Sequence, residues 1–150
     1  MKKLFAISLL AAMFMADAPD AKSQGIVTAN MTSTVGGTTT SITCISNTAN
    51  YIYVQPDQGH YTTAIFQATV TRVSAAAGGT IFLQGSVDNS NWHTATYAAG
   101  DTATVANSAS QVLKIYVAPT SGLPFKYYRL KCTGASSDTM TVAAKFCGRQ

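Results

Sequence analysis

Apolar and polar residues alternate one for one through most of the chain after residue 24. The clearest run is 63–73, where Phe66, Ala68 and Val70 occupy every second position between polar residues. Successive side chains of a β-strand point to opposite faces of the sheet, so this period predicts strands that bury one face. Alternating or β-branched segments predict strands at 25–34, 38–45, 51–55, 63–73, 80–84, 93–97, 111–117, 125–133 and 139–147.

The stretch 79–92 combines a strand, a polar turn and the only tryptophan of the chain, Trp92. The turn is Asp88-Asn89-Ser90-Asn91, residue types whose side chains bond nearby backbone and tolerate left-handed conformations. Because Trp is highly buried on average, we interpret Trp92 as a core anchor, with a sugar-stacking platform as the alternative. The predicted core consists of Ile81, Leu83, Trp92, Tyr128, Leu130 and Phe146.

Short strands separated by turn residues, with no helical period beyond the N-terminus, predict an all-β fold. About eight strands with this spacing are typical of an antiparallel β-sandwich or jelly roll. Residues 98–110 lack a clear pattern and predict a long loop or an edge strand. The last two strands are expected to form a hairpin across 134–138. No linker or repeat divides residues 24–150, which are predicted to form one domain.

The N-terminus has the pattern of a secretory signal peptide. Met1-Lys2-Lys3 is basic, and 4–15 is an uncharged apolar run that is shorter than the roughly 20 residues needed to span a bilayer. The best small-residue cleavage site, Ala21-Lys22-Ser23, predicts removal of residues 1–23. Cleavage predicts an exported protein, extracellular or on the cell surface, with no membrane segment in the mature form. The alternative is an apolar N-terminal helix retained in an assembly.

Charge is scarce. Charged residues make up 11% of the chain and the net charge is +4, with no Glu at all, whereas about 25% is usual. A surface rich in Thr, Ser, Asn and Gln favours a secreted module or an extracellular particle. Only Lys126, Arg129 and Lys131 cluster, which argues against a nucleic-acid partner, since phosphate binding usually needs several more contacts.

Three cysteines allow at most one intramolecular disulfide. Export makes such a bond plausible, and the alternation pattern favours Cys44 with Cys132 over pairs that include Cys147. The alternative is that all three are free thiols.

Residues for catalysis or metal binding are sparse. His60 and His93 are the only histidines, and no HxH, HExxH or CxxC motif occurs, so no metal site and no cofactor are predicted. The 88–91 turn offers several oxygens but lacks the acidic count of a good calcium loop. Without a nucleophile, base and orienting group, we predict that the protein is not an enzyme.

Two segments resemble known families. Leu83-Gln84-Gly85-Ser86-x-Asp88-x-x-x-Trp92 and the later run 125–134, Phe-Lys-Tyr-Tyr-Arg-Leu-Lys-x-Thr-Gly, resemble small phage-encoded β-sandwich proteins of virion surfaces. More distantly, they resemble discoidin-like galactose-binding domains. The resemblance covers residues 79–147. It implies a β-sandwich and a virion-surface location if the N-terminal segment is retained.

The leading functional hypothesis is a non-catalytic structural or adhesion protein displayed on a particle surface, most like a phage virion decoration or fibre-type protein. Its partners would be further copies of itself or other surface or virion proteins. The alternative is a secreted carbohydrate-binding module, with glycans as partners. Arg129 could stack on an aromatic ring or bind a carboxylate as a fork, unless it lies on a merely solvated sheet face. The candidate surface-binding residues are Tyr51, Tyr53, Tyr97, Tyr127 and Arg129.

Overall fold

The computed structural model describes residues 26–45, 47–56, 61, 63–74, 77–95, 102–117, 123–135 and 138–149. These residues contain ten β-strands and no helix, which confirms the all-β prediction. The strands are β1 (Ile26–Asn30), β2 (Ser41–Ile45), β3 (Ala49–Val54), β4 (Thr63–Arg72), β5 (Gly79–Ser86), β6 (His93–Thr94), β7 (Thr102–Val105), β8 (Ser110–Val117), β9 (Tyr127–Gly134) and β10 (Thr139–Arg149).

The strands form two antiparallel sheets. The first has the order β1-β10-β4-β8, with β2 also on β10, and the second has the order β3-β9-β5-β6, with β7 also on β5. β1 and β2 share one edge of β10, and β6 and β7 share one edge of β5. The ten strands therefore fill eight positions. Most consecutive strands from β2 onward change sheet, which is the jelly-roll form of the sandwich.

The core lies between the inner faces of the two sheets. On β9 every second residue is buried, from Tyr128 to Gly134, and β4 and β10 show the same alternation. Between ring centroids, Phe66 lies 5.3 Å from Phe146, which is in the same first sheet, and 5.5 Å from Tyr128, which is in the second sheet. Burying each such side chain contributes about 1.5–3 kcal/mol, so this aromatic contact helps to hold the sheets together.

Five of the six residues predicted for the core are fully buried: Ile81, Leu83, Tyr128, Leu130 and Phe146. Trp92 is not, and its assignment as a core anchor is wrong. It is half-buried and contacts side chains on the outside of the second sheet. The reason is that 87–91 is a turn in which strict alternation ends, so the period of β5 does not carry through to residue 92.

The expected hairpin between the last two strands is also wrong. β9 pairs with β3 and β5 in the second sheet, whereas β10 pairs with β1, β2 and β4 in the first. The connection crosses from one sheet to the other, beginning with the bond from Ala135 N to Gly78 O. Alternation shows which side of a strand is buried, but it is identical for a strand that continues its sheet and one that changes sheet.

Cys44 and Cys132 face each other across the core as buried free thiols, so the structure does not contain the predicted disulfide. A hydrogen bond between the two thiols, together with burial, raises the pKa of Cys132. Cys147 is a half-buried free thiol on β10. The pairing preference correctly brought Cys44 and Cys132 together, although no bond joins their sulfurs.

Two predictions lie outside the described residues: the signal peptide at 1–23 and the candidate binding residue Tyr97. Within the described ranges, no helix is long and apolar enough to cross a membrane.

Candidate functional site

The outer face of the second sheet carries aromatic and cationic side chains in two adjacent rows. Because antiparallel pairing places partners side by side, the register aligns Tyr53 with Arg129 and Gln84, and Tyr51 with Lys131 and Phe82. All six side chains are half-buried. We call this surface, consisting of Tyr51, Tyr53, Phe82, Gln84, Arg129 and Lys131, the aromatic face.

Arg129 is the centre of the aromatic face. Its Cζ lies 3.9 Å from the ring centroid of Tyr51 and 4.1 Å from that of Trp92, and Tyr53 is 5.9 Å away. Its Nε donates a hydrogen bond of 2.7 Å to Oε1 of Gln84. Cation–π contacts of this kind contribute about 0.5–1 kcal/mol when exposed and about 2 kcal/mol when desolvated. The rings and the amide therefore hold the guanidinium in a defined orientation.

The Asp88 turn places Trp92 on this face. Asp88 Oδ1 accepts hydrogen bonds from Ser90 N (2.9 Å), Asn91 N (2.8 Å) and Ser86 Oγ (2.9 Å), and Oδ2 accepts one from Asn91 Nδ2 (2.7 Å). Asn89 adopts a left-handed φ of 61°, which Asn tolerates better than most residues. The turn therefore reverses the chain within a few residues and brings the indole back over the sheet.

The same hydrogen bonds determine the electrostatics of the turn. The backbone N–H groups of Asn91 and Ser90, followed by the side chains of Asn91 and Ser86, hold the pKa of Asp88 well below its ordinary range. The carboxylate is therefore ionised near neutral pH, with donors from its own turn around it. In the described part of the chain no group of acidic, His or Cys side chains has the arrangement of a metal site.

Trp92 forms an aromatic group with the two tyrosines of β3. Its ring packs edge to face on Tyr53, with centroids 5.6 Å apart, and Tyr53 lies 6.3 Å from Tyr51. Such pairs are worth about 0.5–1.5 kcal/mol beyond the area that they bury. The three rings surround the guanidinium and limit its access to water.

The connection between β1 and β2 packs against the edge of the second sheet. Thr32 N donates to Tyr53 O (2.8 Å) and Tyr53 N donates to Thr32 O (2.7 Å), which joins this segment to β3. A tight turn follows, in which Gly37 N bonds to Thr34 O (3.0 Å) and Gly36 has a φ of 73°. A positive φ at this position of a turn favours glycine. The segment forms a wall beside Tyr53.

An open cleft of about 460 Å³ lies between this wall and the Asp88 turn, within the range of small-molecule sites, about 300–1,000 Å³. Tyr53, Trp92 and Arg129 provide the rings and the charge, and hydroxyl and amide groups come from both walls. The lining residues are Ser33, Thr34, Val35, Tyr53, Asn89, Ser90, Trp92 and Arg129. A second cleft of about 450 Å³ lies on the other side of the wall and shares Tyr53.

The predicted binding residues are only partly brought together. Tyr51, Tyr53 and Arg129 form one cluster. Tyr127 lies at the start of β9, two residues before Arg129, with Lys126 Nζ 5.3 Å from its ring. Sequence reasoning missed Gln84 and assigned Trp92 mainly to the core. The alternation of β5 already placed Gln84 on the face opposite Leu83, which was the available signal. The wall at 33–35 had no recognisable signal.

No protein-family model matches the sequence, and no curated protein matches it. The resemblance to phage-encoded and discoidin-like sandwiches therefore rests on the two motifs alone and stays a prediction.

Several solved structures are similar. The Yersinia pseudotuberculosis-derived mitogen is 16% identical, with a TM-score of 0.43 over 85% of this chain and 88% of that chain. Family 16 Carbohydrate Binding Module-2 is 10% identical, with a TM-score of 0.44 over 79% and 83%. The family 11 carbohydrate-binding module from Clostridium thermocellum, in complex with a mixed-linked tetrasaccharide, is 9% identical, with a TM-score of 0.41 over 83% and 84%. At these identities and TM-scores the likenesses carry no argument about function.

Proposed function

We propose that the protein is a non-catalytic carbohydrate-binding β-sandwich and that the cleft beside Trp92 is its binding site. The observation that carries the proposal is the combination of Trp92, Tyr53 and Arg129 with hydroxyl and amide groups in a cleft of about 460 Å³. A sugar ring has an apolar C–H face and a rim of hydroxyls. Aromatic side chains can cover the first, and fixed polar groups can bond the second.

The lining of the cleft favours binding over bond cleavage. Its described residues include no carboxylate, imidazole or thiol, and glycoside hydrolysis ordinarily requires two carboxylic groups at a set separation. Asp88, the nearest acidic residue in sequence to Trp92, is engaged by its own turn. These observations support a site that holds a glycan without breaking it.

Trp92 provides the test because it is the only tryptophan and lies in the cleft. Its fluorescence is expected to change saturably when a bound glycan is titrated from a panel of soluble polysaccharides. Tyr53→Ala keeps the reporter and removes one ring, so it should weaken binding about ten-fold or more. Val112→Ala is the matched control, because Val112 is an exposed apolar residue of the first sheet.

Two results would count against the proposal. One is an unchanged Trp92 emission across a broad panel of neutral and charged glycans. The other is an affinity that falls equally in Tyr53→Ala and Val112→Ala, which would place the ligand outside the cleft. Thermal melting of both variants shows whether they remain folded.

Display on a particle surface is a second proposal, favoured by a row of uncharged hydroxyl side chains on the outer side of the first sheet. There Thr43, Thr141, Thr71 and Ser110 lie side by side in one row across four strands. Self-association through this surface predicts an oligomer in size-exclusion chromatography with light scattering. A strict monomer at high concentration would contradict it.

Export is likewise a proposal, carried by the N-terminal sequence pattern. It predicts an intact mass that corresponds to loss of residues 1–23 from the native protein. A mature protein that retains Met1 to Ser23 would contradict export by cleavage and would favour assembly on a particle.

A further inference from the structure

We infer that the glycan bound at this cleft is anionic and that its carboxylate or sulfate group pairs with the guanidinium of Arg129. This inference rests on the proposed function and names the class of glycan. It is carried by the geometry around Arg129 and by the distribution of charge on the aromatic face.

The surroundings of Arg129 leave one part of the guanidinium for a ligand. The rings of Tyr51 and Trp92 pack against it at 3.9 and 4.1 Å, and Gln84 accepts from Nε. The Nη1 and Nη2 atoms form no hydrogen bond with the described residues, and Arg129 belongs to the lining of the cleft. A guanidinium offers two parallel N–H donors at this edge, which match the two oxygens of a carboxylate or sulfate group.

The charge of Arg129 is not neutralised by the described protein. Only two carboxylates occur in the described ranges, and neither forms an ion pair with it: Asp88 is bound within its turn, and Asp138 is buried beside Gly78 at the far end of β9. Burying a charge without a partner is costly. A half-buried, ring-stacked cation therefore binds an anion more strongly than a fully hydrated one does.

A second cation extends the positive surface. Lys131 lies two residues after Arg129 on the outer side of β9, about 7 Å farther along the strand, and its Nζ is 5.2 Å from the Phe82 ring. A polymer with regularly spaced acidic groups can contact both positions. A neutral glycan would leave both charges without a partner, which the anionic class avoids.

Three polymers that share one backbone test the inference: dextran, carboxymethyl-dextran and dextran sulfate, each titrated against Trp92 fluorescence. We expect at least one anionic polymer to bind about ten-fold or more tightly than dextran, with an affinity that falls as salt is added. The carboxymethyl and sulfate arms show which anion is preferred. A (dT)12 oligonucleotide tests the nucleic-acid alternative.

Variants separate a built site from general attraction between opposite charges. Arg129→Gln and Lys145→Gln each remove one positive charge, but Lys145 lies on the outer side of the first sheet. We expect about a ten-fold or greater loss of anion affinity in Arg129→Gln and little change in Lys145→Gln. Arg129→Lys keeps the charge without the fork and should lose most of the affinity. If Arg129→Gln fails to fold, Lys131→Gln against Lys145→Gln makes the same comparison.

The outcomes distinguish this inference from the proposed function. Equal affinity for dextran and both anionic polymers, or equal losses in Arg129→Gln and Lys145→Gln, would overturn the anionic class while leaving glycan binding intact. Binding of (dT)12 more tightly than either anionic polymer would also overturn it. No emission change with any glycan of the broader panel would overturn both.

Discussion

The outer faces of the two sheets differ in what covers them. On the first sheet, two neighbouring rows consist of Thr, Ser, Ala and the exposed Val112, and the next row is Lys145, Gln67 and Lys114. On the second, Arg129 packs against Tyr51 and Trp92, and two turns approach from the edges. Strand pairing is antiparallel in both sheets, so the backbone alone does not explain the difference. Among the described residues, side chains and adjoining turns give the second face an open cleft.

The inner faces of this small sandwich form the core, and the candidate site lies on one outer face. The inner faces are equivalent in kind, both lined by buried apolar residues. The outer face of the first sheet carries mainly hydroxyl side chains together with the exposed Lys114 and Lys145. The outer face of the second sheet holds the Arg129 guanidinium against the Tyr51 and Trp92 rings, an arrangement that costs side-chain entropy.

The largest expected effect comes from Leu130→Ala, which removes a fully buried side chain from the core between the two sheets. Leu130 is fully buried and lies between Ile52 and Leu83 in the register of the second sheet. The free energy of unfolding should fall by about 2–5 kcal/mol. Val112→Ala, the exposed control, should change it by less than about 0.5 kcal/mol. Chemical denaturation measures both, and equal values would contradict the packing described for the core.

Asp88→Ala should disrupt the cleft on the second sheet and leave the outer face of the first sheet unchanged. The substitution deletes the acceptor of four hydrogen bonds that place Trp92, so we expect glycan affinity to fall about ten-fold or more and Trp92 emission to shift to longer wavelength. For Trp92 emission, Ser90→Ala is the matched control, because Ser90 donates to Asp88 through its backbone N–H, which alanine keeps. An unchanged emission in Asp88→Ala would show that the turn does not position the indole.

The pH dependence of the same turn follows from its hydrogen bonds. The folded pKa of Asp88 is lowered by the Asn91 and Ser90 donors, so the turn is stabilised above the ordinary Asp value of about 3.9. This stabilisation is lost as pH falls from that value through the lowered folded pKa. Trp92 emission should therefore stay constant from about pH 8 to about pH 5. A shift centred near neutral pH would contradict this account.

A smaller effect should separate the lysines of the two faces. Lys131→Gln and Lys114→Gln each remove one charge, the first from the aromatic face and the second from the outer side of the first sheet. We expect Lys131→Gln to weaken binding of an anionic glycan about three-fold at low salt, since exposed charge pairs contribute about 0.2–1 kcal/mol. Lys114→Gln should have no measurable effect. The reverse order would place the ligand on the first sheet.

The last prediction concerns the access of a reagent to the three cysteine thiols and requires no substitution. In the reduced native protein, a thiol reagent should label Cys147 and spare Cys44 and Cys132, which are buried in the core, and all three should react in denaturant. In protein prepared without reductant, labelling of Cys147 alone in both conditions would show that oxidation joins the other two. Native labelling of Cys44 as fast as Cys147 would contradict its burial.

Sequence pattern predicted much of the sandwich because alternation is a local property. The strand at 63–73 is observed as Thr63–Arg72, and five of six predicted core residues are buried. β7 (Thr102–Val105) falls within 98–110, where small polar residues left a long loop or an edge strand open, and it is an edge strand. Its pairing with β5 supplies what its own pattern lacks.

The sequence by itself determined which side of the clearly alternating strands is buried, and it identified the Asp88 turn, because both depend on neighbouring residues. Only the tertiary structure decided that β9 and β10 belong to different sheets, that Trp92 lies outside the core and that Arg129 lies against its ring. The physical reason is that buried and exposed residues alternate in the same way in a strand of either sheet, so the pattern does not identify the sheet. Partners far apart in sequence become neighbours only through interstrand hydrogen bonds and the packing of the two inner faces.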